Sequence, residues 1–375
     1  MKNLKYILFS VITTVVFLLL IEWISGFISK NYYIRLDFVN QEYAEEVDGY
    51  FKPNQDRMIY FPGQKPYQLG INSLGYRNVG VEITRESIQD KKKVLLVGDS
   101  FSFSLFTDDK DSFGYQLQQK LIEEGREDIA VLNAGLGNTS ISDFKYYLEQ
   151  KLPDINPDYI VMNICWNDVQ EVNIRPPKYQ EYINIKKDPI GIEFRKLNVA
   201  RLFLKFYSDW KYFRWNRKEK NEKVRDILWK QPKDLDSIFY AYENFRASDV
   251  VMNPHQEKLK EDWAKYFKVL GETIDLIQAR NIPLLVWISP ELASLYERTN
   301  GSHELKILAF LDQRGVGFVD VLPAFKQYKE EYLKIYTNPP RDFHLSGYGN
   351  QILTQEIYPY LIFHFTPPST APEAN

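Results

Sequence analysis

The chain is predicted to adopt an α/β fold: a three-layer α/β/α sandwich around a mostly parallel, doubly wound sheet of flavodoxin-like type. An N-terminal transmembrane helix and a helical insert are added to it. Three observations predict this. Short apolar runs rich in Val, Ile and Leu alternate with helix-length segments. The first three of these runs end directly in a polar or glycine-rich stretch, which in a parallel sheet places all three stretches along one edge. The chain also opens on a single long apolar stretch.

That stretch comes first. Lys2 and Lys5 precede it, and Glu22 is the only charge between Lys5 and Lys30. About 20 apolar residues are enough to cross a bilayer, and Trp23, Tyr32 and Tyr33 suit the far interface. An uncleaved anchor over residues 1–30 fits better than a signal peptide, because the stretch is long and no Ala-x-Ala-like site follows. Lys2 and Lys5, set against Lys30 and Arg35, place the N-terminus in the cytoplasm, though the asymmetry is small. The expectation is a single pass through the cytoplasmic (inner) membrane with the remaining chain extracytoplasmic.

Residues 31–90 carry Pro53, Pro62, Gly63, Pro66, Gly70 and Gly75 and read as an irregular collar packed on the next domain. Within it Asn72, Gly75 and Arg77 form a turn that either is structural or reaches the edge of a site.

A domain over residues 91–365 follows. Residues 94–97 (Val-Leu-Leu-Val) read as a fully buried parallel strand ending in Gly98-Asp99-Ser100. Gly98 allows backbone angles that a side chain forbids. Ser100 then lies at a helix N-terminus, where free amides favour an anion. The plain alternative makes Ser100 only an N-cap. A helix over about 112–124 presents Phe113, Leu117, Leu121 and Ile122 on one face. A second strand at 129–132 leads into Asn133-Ala134-Gly135-Leu136-Gly137-Asn138-Thr139-Ser140, and a third at 159–164 leads into Cys165-Trp166-Asn167-Asp168. A fourth at 283–288 precedes Ser289-Pro290, and a fifth lies at 317–321. Near the end, Arg341-Asp342-Phe343-His344 precedes a last helix over about 349–362. A serine hydroxyl becomes a nucleophile when a positioned imidazole takes its proton, and a carboxylate then orients that imidazole. The Asp-x-His pair supplies both groups.

The order of these motifs resembles the SGNH (GDSL-type) hydrolase family over about residues 70–362. Asn72-x-x-Gly75-x-Arg77 is similar to a segment ahead of the first block in membrane-anchored bacterial cell-surface members. The resemblance implies Ser100 as nucleophile, His344 as general base and Asp342 as its orienting partner. It implies an oxyanion hole from the Ser100 amide, the Gly137 amide and the Asn167 side chain, with Gly135 as second choice for the glycine. The chain departs from the family at three places. Cys165-Trp166 replaces a common Gly-Gly, Asp342 lies two residues before His344 where three are common, and Ser104 stands where a glycine is common.

Neighbouring residues have plainer readings. Asp99 tightens the serine turn, Cys165 is a small buried residue, and His255 and His303 lie at the surface. Asp168 either caps the next segment or serves the site, and Trp166 is a core aromatic or an acyl-pocket wall.

Composition sets outer limits. A net charge of -3 gives no pull toward nucleic acid. Cys165 is the only cysteine, so no intrachain disulfide forms, and four histidines without paired cysteines argue against structural zinc. No metal or organic cofactor is implied. Aromatic content of 15% suits carbohydrate stacking, a membrane interface or a plain aromatic core. The helical insert spans about 175–255. In it Val199, Leu202, Phe203, Phe206, Trp210 and Phe213 follow helical spacing, and nine Lys or Arg face three acids between 211 and 233. Such a segment lies on an anionic membrane, grips an acidic glycan, or packs as a lid. Residues 366–375 read as a disordered tail.

The function expected from the resemblance is a serine-dependent O-acyl (acetyl) esterase or O-acyltransferase acting on an extracytoplasmic polysaccharide through an acyl-enzyme on Ser100. The partners expected are an acylated glycan or other acyl ester, the membrane, and, for a transferase, a multi-spanning acyltransferase that supplies the donor. The alternatives are a catalytically silent scaffolding subunit of a polysaccharide assembly complex and a lipid-acting esterase.

Overall fold

A computed structural model describes residues 2–29, 48–174, 197–217, 221–231, 233–246, 249–299 and 303–366. Among the described residues nine strands form in chain order: β1 (Gln55–Ile59), β2 (Tyr67–Ile71), β3 (Lys92–Val97), β4 (Ile129–Asn133), β5 (Tyr159–Ile164), β6 (Leu284–Ile288), β7 (Gly317–Val319), β8 (Tyr336–Asn338) and β9 (Asp342–Leu345). The five expected strands are β3 to β7, and they build one parallel sheet in the order β4-β3-β5-β6-β7. Their apolar runs are continuous because both faces are covered: Val94, Leu95, Leu96, Val131, Ile160 and Met162 have no exposed surface.

Strand order reverses after β4. Right-handed crossovers therefore place the helices before and after it on opposite faces, giving the three layers. On one face helices Ile141–Ile155, Asn167–Ile174 and Lys260–Gln278 pack together. On the other, Phe113–Glu123 lies against Gly347–Phe365. Phe113, Leu117 and Leu121 recur every four residues and are fully buried, and Ser112 caps that helix by accepting from the Tyr115 amide. The reversal also splays the loops after β3 and β5 apart and opens a crevice between them. Val97 pairs with Met162, so the segments after Gly98 and Cys165 leave the sheet side by side.

The collar is more ordered than its turn residues suggest. Residues 31–47 lie outside the described chain, but β1 and β2 form an antiparallel hairpin. Residues 55–59 read Gln-Asp-Arg-Met-Ile and 67–71 contain Gly70, so neither makes an apolar run. Only their partners reveal them as strands. Asn72 Oδ1 accepts from the Leu74 and Tyr76 amides and closes the turn, and Gly75 has φ 80°, where glycine costs least.

Arg77 then ties the collar to the sheet. Its amide donates to the Asn133 carbonyl at the end of β4 (3.2 Å). Its fully buried guanidinium donates to the carbonyls of Phe103, Ser104 (2.7 Å) and Thr107 (2.6 Å) and to Asp109 (3.2 Å). It is thus a structural clamp on the segment that follows Ser100. Replacing a buried, fully paired charge strands its partners at a cost of about 3–5 kcal/mol. Chemical denaturation of Arg77→Met is expected to show a loss of that size, with Arg77→Lys intermediate because an ammonium spans fewer of these acceptors.

The N-terminal helix is Lys2–Ser29, and its 24-residue stretch Lys5–Ile28 has a mean hydropathy of 2.5, long and apolar enough to cross a membrane. The described part of the insert is helical: Asn198–Arg217, Glu222–Lys230, Leu235–Ala241 and Asp249–Met252. Its segment 175–196 and tail residues 367–375 lie outside the described chain.

Candidate active site

Gly98 ends β3 where space is shortest. A Cβ there would lie 2.4 Å from Ser102 Oγ and 2.7 Å from Asn163 Cβ, so any side chain would push the serine turn off the sheet. The residue that caps the next helix is Asp99, whose Oδ1 accepts from the Phe101 amide (2.9 Å). Ser100 is therefore not the N-cap but the first helical residue. The helix Ser100–Phe103 lasts one turn and stops at Ser104, which is left-handed (φ 56°, ψ 57°). That conformation explains the attraction of a glycine there. Here Ser104 Oγ accepts from the Phe113 amide (2.9 Å), which offsets the strain.

The Asp-x-His pair arrives on the β8–β9 hairpin. His344 Nε2 lies 2.7 Å from Ser100 Oγ, and His344 Nδ1 lies 2.7 Å from Asp342 Oδ1. The same Asp342 oxygen accepts from the His344 amide (2.9 Å) and from Thr337 Oγ1 (2.9 Å). A carboxylate held by three donors cannot swing away, so Nδ1 carries the proton and Nε2 faces Ser100 as an acceptor. Two aromatic rings fix the imidazole: Phe101 at 5.0 Å between centroids, and Phe106 edge-on at 5.4 Å. Phe106 has φ 68°, unusual for a bulky residue, between Ser104 and Thr107, whose carbonyls Arg77 holds.

The two glycine candidates separate by packing. The Gly135 amide donates to Asn133 Oδ1 (3.0 Å), and a Cβ on Gly135 would lie 2.3 Å from the Phe103 nitrogen. Gly135 is thus packed under the serine turn. Gly137 stands beside Ser100, where a Cβ would be 3.7 Å from Ser100 Cβ. Asn167 opens the helix after β5, next to β3 in the sheet, and its Oδ1 is buried without a hydrogen-bond partner.

Three buried carboxyls surround these elements. Burial, countered by the Phe101 amide and the charge of His344, raises Asp99 to about 6. Asp168 is pushed well above the usual carboxylate range by burial and by Asp99, and its Oδ2 accepts from the Cys165 amide (2.9 Å). It braces the loop that carries Asn167. Burial likewise raises Glu291 to about 7, although the Tyr242 hydroxyl donates to it (2.7 Å) and the Trp166 side chain hydrogen-bonds to it. Glu291 thereby pins the tryptophan that replaces a glycine before Asn167. Tyr242 in turn packs edge-on against Phe343, between Asp342 and His344 (5.0 Å).

Glu291 gives a stability prediction with an unusual sign. Its carboxyl binds a proton near 7 in the fold and near 4.5 when exposed. Its contribution is full below that lower value and is lost as pH rises through about 7. In thermal unfolding, Glu291→Gln is expected to match wild type near about pH 4.5 and to exceed it at about pH 8, by on the order of 3 kcal/mol.

Of the residues read from sequence, Ser100, Asp342 and His344 meet directly, and Gly137 and Asn167 lie on the adjacent loops. Cys165 is buried and His255 exposed. His303, expected at the surface, is instead fully buried beside Glu304 (3.3 Å), because it shares the inward face of its helix with Ile307 and Leu311. Sequence reasoning missed Thr337, Phe106 and Glu291, which lie in no motif, and gave no role to Phe101, which lies in the Gly-Asp-Ser-Phe stretch. Each acts through a contact that only the fold creates. No group of three or more His, Cys, Asp or Glu able to hold a metal is present among the described residues.

No protein-family model matches the chain, and no curated protein matches its sequence. Solved structures do match in shape. A catalytic mutant of an acetylxylan esterase from Geobacillus stearothermophilus is 14% identical, with a TM-score of 0.41 over 74% of this chain and 97% of that one. A lipase/acylhydrolase from Enterococcus faecalis is 13% identical, with a TM-score of 0.41 over 74% of this chain and 100% of that one. A member of the lipolytic G-D-S-L family from Veillonella parvula is 9% identical, with a TM-score of 0.38 over 73% and 100%.

Proposed function

We propose that the chain is a serine ester hydrolase or O-acyltransferase of the SGNH type, acting on O-acyl (acetyl) groups of an extracytoplasmic polysaccharide. The observation that carries this reading is the unbroken hydrogen-bonded line Ser100–His344–Asp342 at the switch point of the sheet. A catalytically silent scaffold has no need for that line.

In the mechanism, Ser100 Oγ attacks the ester carbonyl carbon while His344 Nε2 takes the hydroxyl proton. Asp342 stabilises the resulting imidazolium. The oxyanion lies against the Ser100 and Gly137 amides and the Asn167 side-chain amide. The tetrahedral intermediate collapses, the sugar oxygen leaves with the proton from His344, and the acyl group stays on Ser100. Water or a second sugar hydroxyl, deprotonated by the same imidazole, then takes the acyl group and restores the serine. Hydrolase and transferase differ only in this acceptor.

A cleft of about 560 Å³ adjoins the line, bordered by Phe106 and Thr337, which contact His344 and Asp342, and by the polar groups of Gln64, Lys65, Asp108 and Gln231. Its lining includes none of Ser100, Asp342 and His344, so it flanks the triad and suits a neighbouring sugar unit, not the acyl group itself. The test is turnover of acetylated against deacetylated polysaccharide and of short against long acyl esters. Acetate release from the glycan with short-chain preference supports the reading. Activity on long-chain lipid esters alone sinks it.

A further inference from the structure

The helix Asn198–Arg217 is amphipathic the wrong way round. Val199, Phe203, Phe206, Tyr207 and Trp210 form one stripe, about 100° wide on a helix of 3.6 residues per turn. All of it is solvent-facing, with Phe203 70%, Phe206 59% and Trp210 52% exposed. The side turned inward carries Ala200 and the half-buried Lys205 and Asp209. Lys205 pairs with Asp209 (2.8 Å), the Tyr60 hydroxyl hydrogen-bonds Asp209 (3.3 Å), and Lys205 sits over the Tyr60 ring (4.4 Å).

The other end of this helix meets the N-terminal apolar helix. Glu22, the one acid in that apolar stretch, accepts from the Asn198 amide (2.5 Å) and the Val199 amide (3.0 Å). A Cβ on Gly26 would lie 3.0 Å from Asn198 Nδ2, and Ser25 is buried at the same contact. Small residues let the two helices touch, and the carboxylate satisfies helix-end amides that a bilayer could not. A carboxylate in an apolar span costs about 3 kcal/mol without such a role.

Glu22 lies seven residues before the end of the helix at Ser29, which is about 10 Å of rise. The insert helix therefore starts at the depth of the outer interface and climbs to the soluble domain at Tyr60. Trp23 on the first helix and Trp210 on the second, with Arg214 over the Trp210 ring (4.8 Å), supply the aromatic and basic groups typical of that zone.

We propose that the Val199–Phe203–Phe206–Trp210 stripe is a second membrane contact, seated in the outer interface of the bilayer beside the transmembrane helix. The occupant of the stripe is lipid. The proposal rests on the reading of the N-terminal helix as an anchor. Its consequence is a fixed site height: Tyr60 adjoins Phe61, Phe61 packs edge-on against Phe106 (5.3 Å), and Phe106 packs on His344. The triad is thus held near the membrane surface.

The test uses the full chain in lipid nanodiscs with Cys165→Ser as background, since Cys165 is the only cysteine. Spin labels are placed at Phe203→Cys, at Phe17→Cys on the anchor, and at Glu222→Cys in solvent. Each is read by the ratio of collisions with oxygen to collisions with a water-soluble nickel chelate. The proposal predicts that Phe203 inverts the ratio found at Glu222 and falls between it and the deeper Phe17. If Phe203 matches Glu222 while Phe17 stays lipid-like, the proposal fails, the anchor stands, and the stripe is left to a protein partner. If Phe17 also reads as aqueous, the anchor reading fails and the proposal with it. Val199→Cys, on the same stripe, repeats the measurement if Phe203→Cys does not fold.

Discussion

Ser100→Ala is expected to lower kcat/KM on para-nitrophenyl acetate by about 10⁵- to 10⁶-fold while leaving the fold intact. The hydroxyl contributes no core packing. Ser100 opens a one-turn helix whose cap is Asp99 and whose stop is held by Ser104, so the backbone survives the change. What disappears is the oxygen that lies 2.7 Å from His344 Nε2. The residual rate comes from the oxyanion donors and binding alone. Circular dichroism and the thermal midpoint should match wild type. A variant that keeps more than about a tenth of the activity would place the nucleophile elsewhere.

Asp342→Asn is expected to cost about 10⁴-fold in kcat. Asp342 Oδ1 gathers three donors, the His344 amide, His344 Nδ1 and Thr337 Oγ1. An asparagine that keeps its oxygen at this position can hold all three donors, but it carries no charge. The imidazolium formed when His344 takes the Ser100 proton then loses its stabilising partner. The loss should fall on kcat more than on KM, because substrate binding does not pass through Asp342. Thr337→Val, which removes one of the three donors, should give a small loss in the same direction. A KM effect without a kcat effect in Asp342→Asn would contradict this role.

The parts of the fold legible from sequence were those with one-sided physics. Residues 94–97, 129–132 and 159–164 are apolar throughout because parallel strands are covered on both faces, and each appears in the sheet within two residues of its expected bounds. Loops that follow directly from such strands must share an edge, so Ser100 and Asn167 could be brought together before any coordinates. The hairpins β1–β2 and β8–β9 were not legible. Their strands are short and mixed in character, with Asp342, Phe343 and His344 all half-buried, and only their partners make them strands.

Side chains whose work is done on the backbone were also hidden. Arg77 stood out in a turn motif, but its targets are carbonyls of Phe103, Ser104 and Thr107, which have no side-chain signature. Phe106 is ordinary in sequence and unusual in its backbone angle. His303 followed surface expectations for a lone histidine until tertiary packing buried it. Trp166 stands where a glycine is common before Asn167. The buried Glu291 that holds it lies at the end of a different strand, so the compensation was invisible along the chain.

The central claim is that Ser100 is an activated nucleophile, and covalent labelling by a fluorophosphonate probe tests it most directly. The probe reacts with serines whose proton an adjacent imidazole removes. The account predicts one adduct on wild type, mapped by mass to the peptide containing Ser100, and none on Ser100→Ala or His344→Ala. No adduct on folded wild type, or an adduct that persists in Ser100→Ala, would contradict it.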